Sequence, residues 1–172
     1  LFPNFEFDYN GEILLSYVIS ENDKGFSKIE GIGDLSNLEL SSNFLGSSLD
    51  FKNGKVRFLI RPYDNLFSGF LDIKSRNLEV EVNSLFSSDE VIDLDIQKFI
   101  SPIQDFKFKF KAKSNEYNLF GKTLTLDKIK IFENDNFEIK NFNLQLDVEN
   151  FYISGMNFLN PKIDIKKENG IF

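Results

Sequence analysis

Apolar and polar side chains alternate along most of this chain. In Asp105-Phe106-Lys107-Phe108-Lys109-Phe110-Lys111-Ala112-Lys113 the Phe and Ala positions point to one side of an extended backbone and four lysines to the other. The same period of two recurs at residues 5–9, 13–19, 55–61, 67–73, 78–82, 106–112, 124–131, 142–148, 151–156 and 163–165, with shorter runs at 47–51, 117–119 and 137–139. Asn10-Gly11 and Asn53-Gly54 read as two-residue hairpin turns, because both positions tolerate φ > 0. Residues 62–65 read as a wider turn. The pattern predicts an all-β domain of roughly twelve to fourteen strands.

Residues 88–103 fit two periods. Ser87 and Glu90 match a capping box, and Ile92, Ile96, Phe99, Ile100 and Ile103 fit a helical stripe. Against the helix, residues 92–96 alternate without a break and Pro102 would stop it early. A strand is favoured.

Composition narrows the chemistry. The 172 residues suit one domain able to bury a sizeable core if it folds into two layers. There are 21 Phe and no Trp, Cys or His. Disulfides and thiolate metal sites are excluded, and the commonest catalytic base is missing, so an enzyme, a cofactor and a metal site are not expected. The 20 basic and 27 acidic residues give a net charge of −7 without a basic stripe, which speaks against nucleic acid. No run of about 18 apolar residues is present to form a membrane-spanning helix. The chain starts at Leu1 with no leader pattern before Pro3 and reads as one domain, residues 1–172, excised from a longer repeat-built protein. Its two end strands would then offer free edges for self-association.

Three polar clusters have a functional and a structural reading. Lys107, Lys109, Lys111 and Lys113 would attract anionic head groups, but such a row is more often a solvated face. Asp93, Asp95 and Glu90 carry oxygen ligands for Ca²⁺ but lack the glycine-containing loop of a known Ca²⁺ motif. Arg57 and Arg61 match a phosphate clamp, although a cross-strand ion pair is the commoner use. The structural reading is preferred for all three.

The Gly-rich strand and Leu-x-Leu strand of residues 29–40 (Ile29-Glu30-Gly31-Ile32-Gly33-Asp34-Leu35-Ser36-Asn37-Leu38-Glu39-Leu40) resemble a repeat unit of the AsmA-like/TamB family. Residues 124–131 and 142–146, the latter followed by Ile153-Ser154-Gly155-Met156, have the same form. The resemblance implies a periplasmic protein whose full length is anchored in the inner membrane and has an outer-membrane partner. It implies a long, curled, antiparallel-rich sheet forming a U-shaped trough (a β-taco) with an apolar interior. Phospholipid acyl chains would move along that trough between the two membranes. The groove would be lined by Phe5, Phe7, Leu38, Leu40, Phe58, Phe70, Val80, Phe106, Phe108, Phe110, Leu124, Leu126, Leu144 and Leu146. The alternation by itself favours a closed β-sandwich, a structural or adhesive module with the same side chains in a dry core and no lipid, and the resemblance sets the open trough level with it.

Overall fold

The computed structural model describes residues 8–23, 25–42, 45, 48–126 and 141–167. These form a single 12-stranded sheet. β1 (Asp8–Asn22) and β2 (Gly25–Ser41) make a long antiparallel hairpin, and the short β3 (Ser48–Asp50) pairs with the last residues of β2. β4 (Lys55–Tyr63) also pairs with β2, nearer its start. From there each strand pairs antiparallel with the next through β5 (Leu66–Lys74), β6 (Glu79–Phe86), β7 (Val91–Ile100), β8 (Asp105–Lys111) and β9 (Glu116–Thr125). β10 (Phe142–Ile153) joins β9 in parallel, and its outer side is shared by β11 (Met156–Leu159) and β12 (Lys162–Lys167).

The all-β expectation holds: among the described residues there is no α-helix, and 3₁₀ geometry occurs at Leu45 and at Ala112–Ser114. The sheet is open and uncurled, with β1 at one edge and β11 and β12 at the other. It does not form the two sheets of a closed sandwich. A compact monomer of 20.0 kDa exposes about 8,700 Å². This chain exposes 11945 Å².

Several local readings change. Asn10-Gly11 is not a turn but lies inside β1. Gly11 has φ 111°, and a Cβ there would stand 1.8 Å from the Asn37 carbonyl oxygen. Glycine is needed for close approach of two backbones within a ladder, a role that imitates a turn signal in sequence. At Asn53-Gly54 the chain does turn, with Asn53 at φ 58°, but β3 and β4 both pair with β2 and not with each other. The β4–β5 turn is tighter than expected, since Tyr63 already pairs with Leu66. Residues 91–100 form a strand, and the Ser87 hydroxyl accepts hydrogen bonds from the Asp89 and Glu90 amides in a turn, not at a helix start. The strand at 137–139, the distal part of 124–131, and Phe5 and Phe7 lie outside the described residues.

The buried core runs along one rim of the sheet, where β4, β6 and β8 begin and β5, β7 and β9 end. Leu45, Leu49 and Phe51, from the segment that carries β3, pack there with Leu35, Val56, Leu78, Phe106, Leu124, Leu146 and Val148. The rim turns are tied by side chains acting as backbone. The buried Gln104 donates from Nε2 to the Thr125 carbonyl (2.8 Å) and accepts from the Thr125 amide at Oε1 (2.9 Å). Ser75 Oγ accepts from the Leu78 amide at 3.1 Å.

Candidate functional site

Directly opposed residues of neighbouring strands share a face, so side chains can be followed from strand to strand through the register. One row is Tyr17, Gly31, Phe58, Leu71, Val82, Ile96, Phe108, Leu119, Leu146 and Ile163, crossing ten strands. On the rim side lies a second, Leu15, Gly33, Val56, Ile73, Val80, Phe99, Phe106, Gly121 and Val148. On the other side lies a third, Ile19, Ile29, Ile60, Gly69, Ser84, Leu94, Phe110, Tyr117, Leu144 and Ile165. None of these positions carries a charge. Nine inter-strand spacings of ~4.8 Å make the apolar face about 43 Å long.

Exposure on this face is graded. Val56, Phe106 and Val148 of the rim row are buried, the middle row is mostly half-buried, and no member of the third row is fully buried. Rings fill gaps along the way. Phe99 stacks on Phe106 with centroids 4.9 Å apart, and Phe110 lies 5.0 Å from Tyr117, whose phenol is pushed up by burial. A Cβ on Gly31 would lie 2.6 Å from the Phe58 ring, so the Gly-x-Gly of β2 leaves a hollow that its neighbour covers.

The opposite face is built from charge. Arg57 donates from Nε (3.0 Å) and Nη2 (2.5 Å) to Asp72 Oδ2, and Lys74 Nζ stands 3.5 Å from Asp72 Oδ1. Lys98 pairs with Glu79, Lys109 with Asp95 (3.2 Å), Lys111 with Glu116 (4.0 Å) and Lys162 with Asp147 (3.2 Å). Lys109 and Lys111 of the lysine row are therefore members of cross-strand ion pairs, and Lys107 stands opposite Phe120. Lys113 is not part of the row, because β8 ends at Lys111 and Ala112–Ser114 turns away. Asp95 also accepts from Gln97 Nε2 (2.6 Å), and Arg61 stands opposite Ser68. A shallow dish of about 600 Å³ lies on this face, with Lys55, Arg57, Asp72 and Lys74 in its lining.

Asp72 is the buried member of that network. Burial pushes its carboxyl up, but the hydrogen bonds from Arg57 and the charge of Lys74 outweigh this and hold it below its ordinary value. A depressed folded value stabilises the fold above the unfolded carboxylate's pKa of about 3.9. That stabilisation is lost as the pH falls through the lower folded value. Asp72→Asn is expected to cost about 1–3 kcal/mol at neutral pH. It should also flatten the acid limb of the stability–pH curve, as read by urea unfolding from neutral to acid pH.

Of the residues singled out from sequence, Phe58, Val80, Phe106, Phe108, Phe110, Leu144 and Leu146 stand together in the three rows. Leu38 and Leu40 reach the same side because Leu35 and Ser36 both oppose Ile13, and this extra residue reverses the alternation of β2. Leu124 belongs to the rim core, and Leu126 packs against it. Phe70 is the exception. Residues 66–73 are apolar at both parities, and pairing of Leu71 with Phe58 turns Phe70 to the charged face beside Leu59. Leu71, Val82, Ile96, Leu119 and Ile163 are additional members, each visible in the alternation of its own segment. Leu49 and Phe51 alternate within residues 47–51 but do not stand out as site residues, and Leu45 carries no periodic signal.

Comparison of the chain with protein-family models, curated proteins and solved structures finds no match.

Proposed function

We propose that the apolar face binds the acyl chains of phospholipid, and that the chain is a length of lipid-conducting wall. The observation that carries this is the three uncharged rows, which cross the sheet without a break and stay partly exposed over most of their length. A contiguous apolar face that stays partly exposed marks an interaction surface. Strands of seven to ten residues measure about 23–33 Å, comparable with an extended acyl chain. Phe, Leu, Ile and Val bring no polar atom to satisfy, so the attraction is non-directional, ~25 cal/mol for each Å² removed from water. A lipid held this way slides without breaking specific bonds, and no step of chemistry is involved.

The finer form of the proposal is a U-shaped trough: the sheet curls around the lipid with the rows inside and the ion pairs in water. The packed rim on one side and the less buried third row on the other suit a trough with a floor and a mouth. Placement in the periplasm, an inner-membrane anchor in a longer protein and an outer-membrane partner follow from the resemblance to the AsmA-like/TamB family and belong to the same proposal. The test is organic extraction of the purified chain followed by lipid mass spectrometry, with uptake of a fluorescent phospholipid alongside. Stoichiometric phospholipid and saturable uptake are expected. Absence of both extracted lipid and uptake would sink the reading.

A further inference from the structure

The two edges of the sheet are built differently. Beyond β10 the edge is divided between β11, four residues long, and β12, six residues long with Lys162, Lys166 and Lys167. Short strands and lysines are the usual protection of an edge against pairing. β1 has 15 residues and no lysine, arginine or proline. Both of its irregularities with β2 place the extra residue on β2, so β1 itself carries no bulge. Among the described residues nothing pairs with its outer side. Ile13, Leu14, Leu15, Tyr17, Val18 and Ile19 are 47–65 % exposed. They alternate between both faces, so a ligand on the apolar face alone would leave Leu14 and Val18 in water. A strand laid edge to edge reaches all six.

We propose that β1 is a homodimer interface, in which two copies pair antiparallel about Ser16. Opposed residues share a face, so a two-fold register that keeps both apolar faces on one side must be centred on a residue. The apolar window, residues 13–19, is itself centred on Ser16. That register sets Ile13 against Ile19, Leu14 against Val18 and Leu15 against Tyr17, with Ser16 facing its own copy. Glu12 falls opposite Ser20 and Glu21 opposite Gly11, so no like charges meet. Moving the centre to Leu15 sets Glu12 against Val18, and moving it to Tyr17 sets Ile13 against Glu21. Pairing removes from water the part of the six side chains' exposed apolar surface that faces the edge, and main-chain hydrogen bonds along β1 add to it. The pair is closed, and the rows of one copy run on into those of the other. This inference rests on the edge and not on lipid.

The chain has no cysteine, so single-cysteine variants report the register. Sedimentation equilibrium of the 172-residue chain across a concentration series should give twice the 20.0 kDa monomer mass. Opposed Ser16 residues would have Cα atoms about 4.5–5.5 Å apart, within disulfide reach, and the two Glu12 Cα atoms would be about 26 Å apart. With copper–phenanthroline as oxidant, which takes up two electrons as two thiols release two protons, Ser16→Cys should cross-link nearly completely. Glu12→Cys should dimerise without cross-linking. Ser16→Lys opposes two lysines and should weaken association at least about tenfold, with the strand signal in circular dichroism retained. A monomer throughout the series, equal cross-linking of the two cysteine variants, or an open ladder of multimers from β1 pairing with the far edge of another copy would overturn the proposal.

Discussion

Phe51→Ala is expected to lower the unfolding free energy by about 3–5 kcal/mol, the cost of an aromatic cavity where little can collapse into it. Phe51 is 2 % exposed and packs with Leu45 and Leu49 against the rim. The Phe51 amide donates to the Leu38 carbonyl (3.3 Å), so the same residue also ties its segment to β2. A single-layered sheet has no second core to compensate, and domains of this size have only about 5–15 kcal/mol in total. Urea unfolding followed by circular dichroism measures the loss. A change below about 1 kcal/mol would mean that the rim is not where the stability resides.

Phe108→Glu should behave in the opposite way. Phe108 stands at the middle of the central row, between Ile96 and Leu119, and is only half-buried. Its replacement leaves the rim core and the ladder intact, so the stability loss should stay within about 2 kcal/mol, the burial value of part of a phenyl ring. A carboxylate in the path of acyl chains would be desolvated by every bound lipid, and extracted phospholipid should fall by at least about tenfold, equivalent to 1.4 kcal/mol. In a two-layered sandwich the same change would unfold the protein. Comparing lipid content with the urea midpoint separates the two cases.

How far the fold is legible in sequence varies by element. Phe106, Phe108 and Phe110 declare their face because lysines occupy every intervening position. Phe70 does not, because Phe67, Phe70 and Leu71 are apolar at both parities and only the pairing of β5 with β4 decides between them. The reversal that brings Leu38 to the side of Leu35 depends on an unequal count of residues in two strands, which neither strand reveals alone. Leu45 lies outside any period, and Leu49 belongs to a run too short to declare that it is buried. Asn10-Gly11 misleads for a physical reason: the glycine that a hairpin turn needs is the same residue that a close backbone crossing needs.

From β4 to β9, every strand is joined to its sheet neighbour by a short turn, and among the described strands β9 and β10 alone pair in parallel. Contacts in the β4–β9 stretch are local in sequence, which favours rapid hairpin-by-hairpin assembly, with the parallel pair as the slow step. Each added hairpin brings its own share of rim core and its own lengths of the three rows. Such a sheet grows in one dimension, so chain length sets how far the uncharged surface extends while the cross-section stays the same.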